Sequence, residues 1–235
     1  MTSRTAIRIL LAMGLISGAQ GLRLHASEPP PLSVRMQKAA APESRRQAWE
    51  NRARVILKEW TPKVRTLLGD NANGSAPDFD FMLETGRMGK PAIVLREKGR
   101  KPVLKVSADW VTAHPEDKGV VIHELTHLLQ DYPEPAKDFS KPKWLVEGIA
   151  DWIRFFNFEK PVNIPAPTAG CHLNGYREAA NFLDWANKRY PGLIRSLHKQ
   201  LKGGTYSDNS FQELTGKSLE KLQLEHVKAV DKPKG

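Results

Sequence analysis

The 235-residue chain contains a single cysteine, Cys171, so a disulfide cannot form within one copy of it. We expect Cys171 to be a buried free thiol. After residue 26 no apolar run is long enough to cross a bilayer, and there is no zinc finger or aromatic-rich basic strand of the kind that binds nucleic acid. These absences predict no stable membrane insertion and no nucleic-acid partner.

Acidic residues are fewer than basic ones, 26 against 36, which gives a formal net charge of +10. Such an excess favours solubility, and it also allows attraction to anionic surfaces such as a cell envelope. The chain has no internal repeat, and its length suits one domain with a sizeable core. We expect a monomer.

The N-terminus has the pattern of a targeting segment. Arg4 and Arg8 precede a short apolar run, residues 9–16, which is typical of a signal peptide. The alternative is a mildly hydrophobic first helix of the domain itself. We predict a signal peptide over residues 1–26, a Pro-rich linker over 27–45 and one domain over 46–230, in a secreted or periplasmic protein.

The most informative segment reads HExxH, with His123, Glu124 and His127 as its fixed residues. Apolar residues flank it on both sides, which predicts a largely buried helix. On a helix, side chains four positions apart share one face, so the two histidines could bind one metal ion. Glu124 lies about 100° further round the helix, within reach of a water on that metal. A zinc peptidase activates water with this arrangement.

A second helical segment, residues 144–152, supplies a candidate third ligand. Glu147 lies 20 residues after His127, and a catalytic zinc commonly has three protein ligands. Asp151 is four residues further on, on the same face, where it would accept a hydrogen bond from a ligand histidine. Gly148 would allow close approach of the two ligand helices. The alternatives are a solvated helix face and, for the same ligand types, a non-haem iron site.

Around these residues the chain resembles the basic secretory proteases, the peptidases of plants and bacteria, within the gluzincin-like HExxH enzymes. Residues 123–130 read HELTHLLQ and residues 147–154 read EGIADWIR, as in that family. Residues 175–184 resemble its GY…RFLDY segment, with Asn181 where arginine is usual. Residues 206–217 resemble its YSD…LxGK segment. The similarity spans residues 78–230.

The resemblance implies a zincin-like α+β fold. We expect a small N-terminal mixed or antiparallel sheet packed on the HExxH helix, followed by a mainly helical C-terminal half. Alternating or apolar runs at residues 79–83, 92–95 and 103–106 predict the strands. We assign residues 103–107 as the edge strand that pairs with an extended substrate.

The resemblance also implies a secreted zinc endopeptidase acting on a peptide or protein substrate. Zn²⁺ would be bound by His123, His127 and Glu147, with Glu124 as general base. Tyr176, in the Gly-Tyr segment that matches the family, is our candidate for stabilising the oxyanion, and His172 is the alternative. Two other functions stay open: a non-catalytic zinc-containing envelope or defence-type binding protein, and a zinc amidase acting on cell-wall peptides.

Overall fold

The computed structural model describes residues 43–74, 77–133, 142–159, 166–168, 170–207 and 209–230. Outside these ranges lie the predicted signal peptide and the predicted linker up to residue 42. The side chain of Cys171 is also outside the described part of the structure. The helices and strands run in the order α1 (Glu43–Leu68), β1 (Asp80–Glu84), β2 (Ala92–Leu95), β3 (Val103–Ser107), α2 (Ala108–Ala113), α3 (Gly119–Gln130), α4 (Lys143–Trp152), α5 (Tyr176–Arg189), α6 (Leu193–Lys202), α7 (Ser210–Thr215) and α8 (Leu219–Val230).

Helix α1 begins at Glu43, so the last three positions of the predicted linker are helical. Its apolar residues recur at helical spacing and bury one face, formed by Trp49, Ala53, Leu57, Val64 and Leu68. Pro62 lies inside the helix without ending it. The hydroxyl of Thr66 donates a hydrogen bond of 2.9 Å to the carbonyl of Pro62, within the continuous helix.

The three strands form one mixed sheet in the order β1-β3-β2. β1 is parallel to β3 and β2 is antiparallel to it. The prediction that residues 103–107 form an edge strand is therefore wrong, because both sides of the β3 backbone already pair with other strands. Within the described part of the sheet, the strand that is both an edge and next to α3 is β2.

The HExxH helix α3 packs on both α1 and the sheet. It begins at Gly119, shortly after a turn at residues 115–116. The carboxylate of Asp117 accepts a hydrogen bond from the backbone N–H of Val120, 3.2 Å away, at this end of the helix. A short helix that the sequence does not predict, α2, follows β3 directly, and the hydroxyl of Ser107 caps it.

Helix α4 packs most extensively on α5. Gly148 makes this possible: a Cβ there would lie 2.8 Å from the Cβ of Ala179 and 3.1 Å from Cδ1 of Leu183. The expectation that Gly148 brings the two ligand helices together is therefore wrong, since its open side faces α5. After Trp152 the helix continues as a π-helical segment, Ile153–Phe158.

The C-terminal half is helical, as predicted, and its core is aromatic. Phe182 on α5 lies against Trp144 of α4 and Phe211 of α7. The structure confirms the α+β class with a small mixed sheet against α3 and a mainly helical remainder. None of the helices among the described residues combines the length and the apolar character that a membrane span requires.

Candidate metal and catalytic site

Three ligand atoms from two helices converge on one point. Nε2 of His123 lies 3.0 Å from Nε2 of His127 and 3.2 Å from Oε2 of Glu147. Nε2 of His127 lies 3.4 Å from the same carboxylate oxygen. Helix α3 supplies both histidines because they are one turn apart, and α4 presents Glu147 to them. The geometry thus brings together the three residues that the sequence singled out as metal ligands.

The other nitrogen of each imidazole is held by a second hydrogen bond. Nδ1 of His123 lies 2.6 Å from Oδ1 of Asp151, and Nδ1 of His127 lies 2.7 Å from Oε1 of Gln130. The side-chain amide of Gln130 also donates to the carbonyl of Val146, 3.0 Å away. Because each Nδ1–H donates to one of these oxygens, the Nε2 of each imidazole would direct its lone pair at the shared centre when the ring is neutral, as it is in a metal ligand.

These distances fit a tetrahedral cation site. Ligands at about 2.0–2.2 Å from a tetrahedral zinc are separated from each other by roughly 3.3–3.6 Å, and the 3.0, 3.2 and 3.4 Å found here are at or slightly below that range. Two imidazoles and one carboxylate leave a fourth position for water. The cluster can therefore bind a metal ion of the kind that accepts nitrogen and oxygen ligands.

The electrostatics of the cluster favour positive charge at its centre. Burial alone would lower the pKa of His123, but its hydrogen bonds to Asp151 and Glu147 outweigh that effect and raise the pKa to about 10. Burial would raise the pKa of Glu147, yet its hydrogen bonds to the two histidines lower it well below the ordinary value. A divalent cation would satisfy the same groups without a proton.

Glu124 lies on the side of α3 that faces the sheet. It is 7% exposed, and its carboxylate accepts a hydrogen bond from the backbone N–H of Val94 on β2. Burial raises the pKa of this carboxyl above its usual range, and the nearby histidines oppose that shift. A buried carboxylate with a raised pKa next to the His-His-Glu cluster is suited to taking up and releasing a proton.

The cluster opens into a cleft with a volume of about 920 Å³. Strand β2 and residues 90–91 form one wall, and the start of α5 forms another. Tyr176 lies on the α5 wall and is half exposed, with a left-handed backbone φ of 52°. The structure thus places Tyr176 in the same cleft as the cluster.

His172, the alternative to Tyr176, lies elsewhere. Its ring packs edge-on against Trp144 with 4.8 Å between ring centroids, and it is 5% exposed. Burial lowers its pKa to about 4. His172 is therefore a neutral core side chain, and the prediction that it could serve the site is not supported by its position.

Three residues that support the site were not identified from the sequence. Gln130 had a detectable signal, because it lies one turn after His127 and so on the same helix face. Arg96, at the end of β2, donates to the carbonyls of His127 and Leu128 at 3.2 and 3.0 Å and pairs with Asp131. Arg154 donates to Asp117 at 2.7 Å and so connects the segment after α4 to the start of α3. The contacts of both arginines are distant in sequence and left no local pattern.

Taken together, the fold and the site define an α+β protein with a His-His-Glu cluster that could hold a metal ion and an adjacent buried glutamate in an open cleft. The family model described as "Peptidase of plants and bacteria" matches residues 97–226, which include the whole cluster and Tyr176. The chain belongs to this family, as the sequence resemblance predicted. Membership implies a peptide or protein substrate. Neither a curated protein nor a solved structure matches the chain.

Proposed function

We propose that the protein is a secreted zinc-dependent endopeptidase of the gluzincin type. The observation that carries this proposal is the convergence of His123, His127 and Glu147 beside the buried Glu124 in a cleft. Family membership supports peptide-bond hydrolysis. The basic and then apolar residues 1–16 support export to the periplasm or the medium.

Zinc is the metal that best suits the donor set. His123, His127 and Glu147 would hold it, with Asp151 and Gln130 fixing the two imidazoles. The i,i+4 histidines with an adjacent glutamate on a helix favour zinc over the iron that also binds two histidines and a carboxylate. When bound, zinc would lower the pKa of a water toward neutrality and polarise the scissile carbonyl.

The chain's own residues would handle the protons. Glu124, kept in place by Val94, would accept a proton from the attacking water and deliver it to the leaving amine. The hydroxyl of the half-exposed Tyr176 would donate a hydrogen bond to the oxyanion from the α5 wall of the cleft. The outer edge of β2, and not residues 103–107, would pair with the substrate backbone along the cleft.

The test is the variant Glu124→Gln in the mature protein. It retains the shape of the side chain but cannot act as a base, so we expect one equivalent of zinc to remain bound while cleavage of casein or a peptide library falls by about 10²–10⁴-fold. Metal content is measured by mass spectrometry after dialysis. Addition of a chelator to the wild type should abolish cleavage, and zinc should restore it.

The outcomes separate the alternative functions. A protein that binds zinc but cleaves nothing would be the non-catalytic binding protein. Cleavage of cell-wall peptides or other amides, with casein left intact, would identify the amidase. Full activity in Glu124→Gln would refute the assignment of the base.

A further inference from the structure

Four cationic side chains line the cleft, and two of them have carboxylate partners. Arg96 pairs with Asp131, and Arg154 pairs with Asp117. Arg177 and Lys90 line the same cleft, and among the residues that the structure describes no carboxylate lies within ion-pair distance of either. Among the described residues, the cleft therefore presents two cations that make no ion-pair contact with a carboxylate.

Arg177 is held in position by an aromatic ring rather than by an acid. Its guanidinium carbon lies 4.4 Å from the centroid of the Phe155 ring, which Arg154 also contacts at 4.6 Å. Phe155 is 7% exposed and belongs to the π-helical segment after α4, so it forms a fixed platform. A cation over a ring is oriented by that contact, while its N–H donors stay free for an anion.

The neighbouring acid does not neutralise Arg177. Glu178 also lines the cleft, but adjacent residues on a helix point in different directions and do not face each other. An arginine guanidinium matches a carboxylate with two parallel hydrogen bonds, which a lysine cannot do. Arg177 is thus an exposed, oriented receptor for a carboxylate, next in sequence to Tyr176.

We propose that Arg177 determines specificity by binding a carboxylate of the substrate in the cleft. This inference rests on the proposed peptidase function. The carboxylate comes either from an Asp or Glu side chain or from the free C-terminus of a short peptide. Substrates that carry it are cleaved in preference to otherwise identical neutral ones.

The experiment compares matched peptides. In each of two otherwise neutral sequences, Glu is placed at successive positions and replaced by Gln in the control, and every peptide is made with a free and with an amidated C-terminus. For the wild type we expect kcat/KM to be about 3- to 10-fold higher for the peptide that carries a carboxylate at the favoured position, the range for a partly exposed charge-assisted pair. Dependence on Glu identifies the side chain as the source, and dependence on the free terminus identifies the C-terminus.

Arg177→Gln should bring the ratio of kcat/KM between the carboxylate peptide and its neutral control close to 1. Arg177→Lys should retain part of the preference. The matched control is Arg189→Gln, at the other end of α5, where the guanidinium lies 5.1 Å from the Trp185 ring and outside the cleft. It should leave the ratio as in the wild type. The proposal is overturned if wild type shows no preference, or if Arg177→Gln slows all peptides by the same factor.

A binding measurement separates this inference from the proposed function. Fluorescence anisotropy is carried out on Glu124→Gln and on Glu124→Gln with Arg177→Gln, using labelled Glu and Gln peptides, each with a free and with an amidated C-terminus. If the double variant loses affinity only for the peptides that carry the favoured carboxylate, the role of Arg177 is supported even if no peptide is hydrolysed. If Glu124→Gln binds all four peptides equally, the proposal is contradicted, whatever the outcome of the cleavage assays.

Discussion

At the scale of single residues, the site depends on side chains that do not contact the metal position. Asp151 and Gln130 each accept a hydrogen bond from Nδ1 of one histidine, at 2.6 and 2.7 Å. These bonds select the tautomer that leaves Nε2 free, and they stop the rings from rotating. In the proposed zinc site, residues outside the ligand set would therefore contribute to the affinity for metal.

Asp151→Asn tests this dependence. Asparagine retains a hydrogen-bond acceptor but lacks the negative charge that supports His123, so we expect zinc affinity to fall by about 10–100-fold. Competition with a chromogenic chelator measures it. Asp184→Asn is the control, because Asp184 accepts from Trp152 at 3.2 Å and pairs with Lys188. Equal loss of affinity in both variants would contradict the role of Asp151.

At the scale of helices and strands, the position of Glu147 is fixed from behind. Gly148 lets α4 lie directly against α5. The adjacent Glu147 then points toward α3, where it meets His123. Any side chain at position 148 would have to displace Ala179 or Leu183, both of which are fully buried. Buried helix contacts of this kind tolerate little added volume.

Gly148→Ala should therefore destabilise the protein, by about 1–3 kcal/mol. The measurement is urea unfolding followed by tryptophan fluorescence. The variant Ala179→Gly removes the atom that the new methyl would strike, at the cost of about 1 kcal/mol in helix propensity. In the Ala179→Gly background, the Gly148→Ala substitution should lower the free energy of unfolding clearly less than it does in the wild type. Strict additivity of the two changes would show that the close contact is not the cause.

Local sequence patterns predicted those parts of the fold and site that depend on local spacing. His123 and His127 share a face because they are four residues apart, and β2 has the bounds that its apolar pattern indicates. The order of the strands is a long-range property, so the edge role was given to β3 instead of β2. The six-residue helix α2 is too short to show a helical period. The partner of Gly148 was misassigned because one glycine does not reveal which helix it faces.

At the scale of the whole molecule, several buried imidazoles make the fold sensitive to acid. His172 packs against Trp144, and His226 lies 5.2 Å from the Trp185 ring, centroid to centroid. Burial lowers the pKa of both to about 4, whereas an unfolded histidine titrates near 6.5. Above about pH 6.5 both histidines are neutral in the folded and in the unfolded protein, so their titration does not affect the free energy of unfolding.

Stability should fall as the pH drops from about 6.5 to about 4, because the unfolded chain takes up protons that the folded chain excludes. Unfolding free energies measured in urea across this range test the effect. His226→Phe keeps a ring against Trp185 but cannot titrate, so its stability should depend less steeply on pH than that of the wild type. Parallel curves would contradict the role of His226. Performing both series with a chelator removes any contribution of bound metal.

The tight contact at Gly148 also limits how the cleft of this protein can be reshaped. The wall that carries Tyr176 and Arg177 begins the very helix against which the ligand-bearing helix is pressed. Tilting or sliding that wall to admit a bulkier substrate would drag Glu147 away from its two histidines. New preferences on this side must therefore arise by exchanging one exposed side chain for another.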